Sequence, residues 1–178
     1  IAFNGPLLGI PGVNIRGDAH VIYGVQAESK TYSGPTTIYS GGILQISSNQ
    51  TLGDIVLNAG ATLIVDAGVT LTVTGSWTGG GTLQNNGTIV LAGIAAQSFP
   101  GATTTVTAMN NLTISNVHGV TLDKNLNISN NLTLTSGILT TGTYNITVDN
   151  AAITSITSGG PTNYVNGYVS MYFDPSLY

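Results

Sequence analysis

Residues 111–130 read NLTISNVHGVTLDKNLNISN, and residues 131–150 read NLTLTSGILTTGTYNITVDN. Set one above the other, Asn111 falls on Asn131, Leu112 on Leu132, Thr113 on Thr133 and Ile114 on Leu134. Asn125 falls on Asn145, Leu126 on Ile146, Ile128 on Val148 and Asn130 on Asn150, always at an offset of 20. A fixed period of this size marks stacked units, each too thin to bury its own apolar face.

The first half repeats with a different motif. Gly41-Gly42-Ile43-Leu44 recurs as Gly60-Ala61-Thr62-Leu63 and as Gly80-Gly81-Thr82-Leu83, at offsets of 19 and 20. Leu52, Leu71 and Leu91 show the same two spacings. Inside each period apolar residues alternate, as in Leu63-Ile64-Val65 and Leu71-Thr72-Val73, which is the strand signal. Between these short strands lie Asn-Ala-Gly-Ala (58–61), Asp-Ala-Gly (66–68), Asn-Asn-Gly (85–87) and Thr-Thr-Gly (140–142). Gly and Asn tolerate positive φ and make tight corners. No helical apolar stripe is present, so almost no helix is expected.

The pattern predicts an all-β chain, a right-handed parallel β-helix with coils of about 20 residues. The alternative is a β-sandwich, which also uses short strands but needs no motif repeated at one offset. In the β-helix, Leu44, Leu63 and Leu83 stack as an inward column. So do Leu112 over Leu132, Ile114 over Leu134 and Leu126 over Ile146. The recurring asparagines form corner ladders, Asn111 with Asn131, Asn125 with Asn145 and Asn130 with Asn150. The solenoid is placed at residues 36–160. Residues 1–35, rich in Gly-Pro and Pro-Gly, are read as an irregular cap or junction. Residues 161–178, with Tyr164, Tyr168, Tyr172, Phe173 and Tyr178, are read as an aromatic cap over the open end of the core, or a junction.

Composition narrows the function. Charged residues make up 6% of the 178-residue chain, yet 42% are hydrophobic, which is not the signature of disorder. The three basic residues are Arg16, Lys30 and Lys124. That scarcity argues against nucleic acid and against anionic lipid surfaces. Cysteine is absent, and no run approaches the ~18 apolar residues of a membrane helix, so no insertion is expected. The chain starts at Ile1 without a signal-peptide pattern and is read as a piece of a longer protein.

The strings Asn-Leu-Thr-Ile-Ser (111–115) and Asn-Leu-Thr-Leu-Thr-Ser-Gly-Ile-Leu (131–139), followed by Thr162-Asn163-Tyr164-Val165-Asn166-Gly167, resemble the β-solenoid segments of large surface adhesins of Bacteroidetes-type bacteria. The likeness covers roughly residues 105–172, while residues 36–93 look like a passenger-type β-helix. The resemblance implies secretion, by the type IX route, and a place at the cell surface.

Catalytic constellations are not evident. The acids Asp18, Glu28, Asp54, Asp66, Asp123, Asp149 and Asp174 are widely spread, whereas glycoside hydrolysis needs a carboxylate pair. On a 20-residue coil Asp54 and Asp66 fall on different sides, and Asp123 and Asp149, 26 apart, do not stack. Asp123-Lys124 reads as a surface ion pair. His20 and His118 are isolated, so neither a metal site nor any cofactor is expected. Arg16-Gly17-Asp18 spells the integrin-recognition tripeptide, and a motif this short recurs by chance. Six Asn-x-Ser/Thr sequons occur, at Asn49, Asn86, Asn111, Asn127, Asn131 and Asn145, and four of them lie in Asn-Leu-Thr-Ile type strings that the repeat itself creates. Thr-x-Thr strings at 70–74, 103–107 and 133–135 resemble the arrays of ice-binding solenoids. The steps from Thr72 to Thr105 (33) and on to Thr133 (28) are not multiples of 20, so the array reads as fragmentary.

The expected role is a structural or adhesive shaft of a secreted, cell-surface or filament protein, without catalysis. Expected partners are neighbouring modules of the same chain, copies of itself, and surface glycans. The alternative is a carbohydrate- or ice-binding module, and the third reading is a polysaccharide-degrading β-helix enzyme.

Overall fold

A computed structural model describes residues 1–3, 11–24, 32, 34–152, 154–157 and 159–172. Among them there is no helix, and so no helix long and apolar enough to cross a membrane. The chain opens with β1 (Ala2–Phe3), β2 (Val13–Ile15) and β3 (His20–Tyr23), then β4 (Thr36–Ile38), β5 (Ile43–Ile46) and β6 (Gln50–Leu52). Next come β7 (Ile55–Leu57), β8 (Thr62–Val65), β9 (Thr70–Val73), β10 (Trp77–Gly79), the long β11 (Thr82–Leu91) and β12 (Gln97–Phe99). The second half holds β13 (Thr105–Ser115), β14 (Val120–Leu122), β15 (Leu126–Ile128), β16 (Asn131–Ser136) and β17 (Leu139–Val148). β18 (Ile156–Thr157) and β19 (Val165–Met171) complete it.

The strands form three parallel sheets that wind as a β-solenoid of about seven turns, about 22 residues each. One sheet runs β1-β3-β5-β8-β11-β13-β16-β18, with β6 on β9 and β9 on the second half of β11. Another runs β2-β4-β7-β10. The third holds β12-β14-β17, with β15 and β19 also on β17. Parallel pairing between successive turns satisfies the backbone of each coil through its neighbours, which a single coil cannot do alone.

The coil length varies more widely than the expected 19 to 20. Ile43 pairs with Thr62, 19 residues on, Thr62 with Thr82 at 20, Thr82 with Thr105 at 23, and Leu132 with Ile156 at 24. The extra residues enter at corners and at register shifts, as between Leu83 and Gln84 in the β11–β13 pairing. Such bulges absorb a residue without losing the ladder.

Period-two alternation aims one side chain in two at the core. Leu44, Leu63 and Leu83 stack in register and are fully buried. Leu112 lies over Ile89 and under Leu132, and Ile114 lies under Leu134. Leu126 pairs with Ile146, and all of these are buried. Leu52, Leu71 and Leu91 are buried but do not form one column. Leu52 pairs with Val73 and Val73 with Leu91, while Leu71 stacks on Gln50. A shift of two residues keeps every apolar side chain inward, so alternation alone does not fix the partner.

At one corner Gly137 has φ +80°, and a Cβ there would lie 1.7 Å from the Asn116 carbonyl oxygen. Near the start of the stack, Tyr23 is fully buried, with its hydroxyl 3.4 Å from that of Tyr32, which in turn meets Thr36 Oγ1. Burial first, and Tyr32 second, push the Tyr23 phenol far above its ordinary value; burial also raises Tyr32.

Four outcomes follow from this packing. Leu132→Ala lowers stability by about 2–5 kcal/mol in denaturant titration, and Leu132→Asp unfolds the adjoining coils. Gly137→Ala also destabilises, through both φ and the carbonyl clash. For Tyr23, the folded-state value lies above the unfolded one, so the unfolded chain loses the proton first as pH rises. Stability is therefore intact below about pH 10 and falls above it. Thermal melts of Tyr23→Phe from pH 8 to 11.5 should show a shallower alkaline loss than the parent.

Candidate functional site

The outward side chains are the chemistry this rod presents. Along β6, β9, β11, β13, β16 and β18 the pairing places Thr51, Thr72, Val90, Thr113, Thr133 and Thr157 in one column. Thr157 Oγ1 and Thr133 Oγ1 are 3.1 Å apart. Beside it run Thr70, Thr88, Asn111 and Asn131. The threonine array is thus continuous across six strands but for Val90, not fragmentary. Thr105 belongs to a different column, over Thr82 and Thr62. A constant 20-residue coil misaligned these, because Thr72 to Val90 is 18 residues and Val90 to Thr113 is 23.

The asparagines divide by role. Asn150 Nδ2 donates to Asn130 Oδ1 at 2.9 Å, and Asn130 Nδ2 donates to Asn111 Oδ1 at 2.9 Å. Asn125 Oδ1 instead accepts from the backbone N–H of Asn145 at 2.9 Å. Asn131 stands in register over Asn111 with its side chain half-buried on the outer face. Asn116 and Gln97 are a pair that sequence reading missed. Both are buried, and Asn116 Nδ2 donates to Gln97 Oε1 at 2.9 Å and to the Ala95 carbonyl at 2.8 Å. Gln97 Nε2 donates to the carbonyls of Val73 and Gly75. A polar residue at an inward position of the alternation was the available signal.

The carboxylates act as local acceptors. Asp54 takes the Ser76 N–H at 2.7 Å, Asp66 takes Gln45 Nε2 and Ser47 Oγ, and Asp149 takes Asn127 Nδ2 at 2.6 Å. Glu28 and Asp174 lie outside the described residues. His20 Nε2 is 3.0 Å from Gln45 Oε1, and the backbone N–H of the exposed His118 donates to Asn116 Oδ1. Among the described residues no group of three or more His, Asp or Glu converges. Arg16-Gly17-Asp18 forms an exposed turn, with the Arg16 guanidinium 3.7 Å over the Tyr39 ring. Asp123 and Lys124 do not pair. Asp123 Oδ2 accepts the Gly101 N–H at 3.1 Å, and Lys124 Nζ donates to the Thr104 carbonyl.

That last bond spans a break in the ladder. β15 pairs upward with β17, but residues 126–128 are not paired with residues 105–108 below them. The two edges rejoin where the N–H groups of Ser129 and Asn130 meet the carbonyls of Met109 and Asn110, at 2.9 and 3.0 Å. The result is a half-open cleft of about 540 Å³ between residues 105–109 and residues 124–129. Beside it a shallower hollow of about 210 Å³ reaches Asn145 and Thr147.

On the last strand Tyr168 pairs with Asn145 and Ser170 with Thr147, so Tyr168, Ser170 and Tyr172 share the outer face. Tyr168 and Tyr172 are 69% and 54% exposed, and stand outside the core whose end they were expected to cover. Val169 and Met171, on the alternate face over Ile146 and Val148, remain about 40% exposed. Phe173 and Tyr178 lie outside the described residues.

Comparison with protein-family profiles, with curated proteins and with solved structures returns no match.

The amide pair sets a measurable expectation. Asn116→Ala leaves Gln97 Oε1 with the Gly93 N–H alone and strips the Ala95 carbonyl of its amide donor, and costs about 1–3 kcal/mol in chemical denaturation. Thr113→Ser on the outer column changes stability by less than about 0.5 kcal/mol.

Proposed function

We propose that this chain is a structural and adhesive shaft segment of a secreted cell-surface or filament protein, and does no catalysis. The observation that carries the reading is parallel pairing continued through about seven turns over one shared apolar core. At ~4.8 Å per turn such a stack is about 34 Å of rod, stiffened by hydrogen bonds along its axis. Its surface is Thr, Ser and Asn with few charges, so contacts with partners are broad and polar, with little long-range steering. Surface exposure by the type IX route is what the likeness to Bacteroidetes-type adhesins supports. Neighbouring modules, further copies and surface glycans are the partners that fit.

The threonine column favours one second reading, a module that binds ordered water or ice. Hydroxyls and methyls repeated every ~4.8 Å present a regular, uncharged lattice. Thermal-hysteresis measurements decide it: activity abolished by Thr113→Lys would support ice binding, and no activity in the parent would remove it.

The shaft reading is checked by electron microscopy and fibre diffraction of the full-length parent protein. Thin rods with a ~4.8 Å axial reflection are expected. Compact particles without that reflection would overturn it.

A further inference from the structure

The ladder break between β13 and β15 is the least explained feature of the surface. Elsewhere on this side successive turns pair edge to edge, as β8 does with β11 and β11 with β13. Here they part and leave a cleft within the ordinary size range of small-ligand sites, about 300–1,000 Å³. Its floor is apolar, with Leu126 and Met109 buried and Val106 half-buried. Its rim carries the Thr105 and Thr107 hydroxyls and the amides of Asn125 and Asn127. An apolar floor with a hydroxyl and amide rim matches the two faces of a sugar ring.

Charge narrows the class. Lys124 is one of three basic residues in the chain, is half-buried, and lines this cleft. Among the described residues it has no carboxylate partner. Its neighbour Asp123 is held by the Gly101 N–H, and Asp149 on the far side is held by Asn127. A partly desolvated cation bound to one carbonyl favours an anionic acceptor. The Ser129–Met109 and Asn130–Asn110 backbone bonds close one end of the wedge, so an extended peptide cannot run through it as an added strand. The open side instead continues over Asn125 and Asn145 to Tyr168, one column about 10 Å long on the inter-strand spacing.

We propose that this cleft binds a carboxylated sugar of an acidic glycan, with Lys124 on the carboxylate and the Asn145–Tyr168 strip under the next sugars. The proposal rests on the adhesive part of the reading above and names its ligand class.

The test is calorimetric titration of the whole chain with hexamers of galacturonate and of mannuronate. The methyl-esterified galacturonate hexamer supplies the same sugar without charge. The acidic hexamers are expected to bind, with affinity about tenfold weaker on esterification and about tenfold weaker for Lys124→Gln, the loss of one charge-assisted hydrogen bond. Tyr168→Ala is expected to weaken the hexamer and leave a dimer unchanged. Circular dichroism reports whether Lys124→Gln folds, and the esterified ligand tests the charge on the parent chain if it does not. No binding of either acidic hexamer at millimolar concentration would overturn the proposal. So would equal binding of the ester, or binding unmoved in a folded Lys124→Gln chain. Rods in the microscope without sugar binding would leave the shaft standing and remove the site alone.

Discussion

The parallel backbone ladder between successive turns is the constraint on which the rest of this molecule depends. A single coil of three short strands can neither satisfy its backbone nor bury its apolar side chains. Stacked, each turn completes both for its neighbours, and inward Leu, Ile and Val become shared columns. Stability is thereby local, a sum of coil-to-coil contacts, and the ends of the stack are its exposed points. β19 shows this directly, because Val169 and Met171 continue two core columns and yet stay partly open.

The same ladder organises the surface. Once pairing fixes which residues sit above one another, every outward position becomes a file of side chains at the inter-strand spacing. Thr51 to Thr157 is one such file, and Asn125, Asn145 and Tyr168 begin another. Uniform polar files suit a chemically quiet shaft. A place where the file parts is different, since it exposes apolar floor beside polar rim. The β13–β15 cleft is such a place, and it holds Lys124.

Much of this architecture was legible beforehand. Period-two alternation, a repeat near 20 and Gly/Asn corners specified parallel coils and the inward set of leucines and isoleucines, because each signal is local and acts over a few residues. The exact offset between residues 111–130 and 131–150 also placed Leu112 under Leu132 and Asn130 under Asn150 in register. Where the offset drifts, local pattern lost its hold. Leu71 was aligned with Leu52 but sits on Gln50, since a two-residue slip leaves alternation unchanged. The buried Asn116–Gln97 pair joins residues 19 apart, one coil of the repeat, but neither lies in an aligned motif and both break the apolar alternation inside.

What the sequence by itself determined is the class of structure and the facing of its side chains, for those follow from alternation and repeat. Only the tertiary structure decided the vertical partners: the continuous threonine column, the outward turn of Tyr168 and Tyr172, and the cleft over Lys124. The physical reason is that coil length varies from turn to turn, with bulges and corners taking up the difference. Register between turns is therefore settled by backbone pairing through the whole stack, and no single coil contains it.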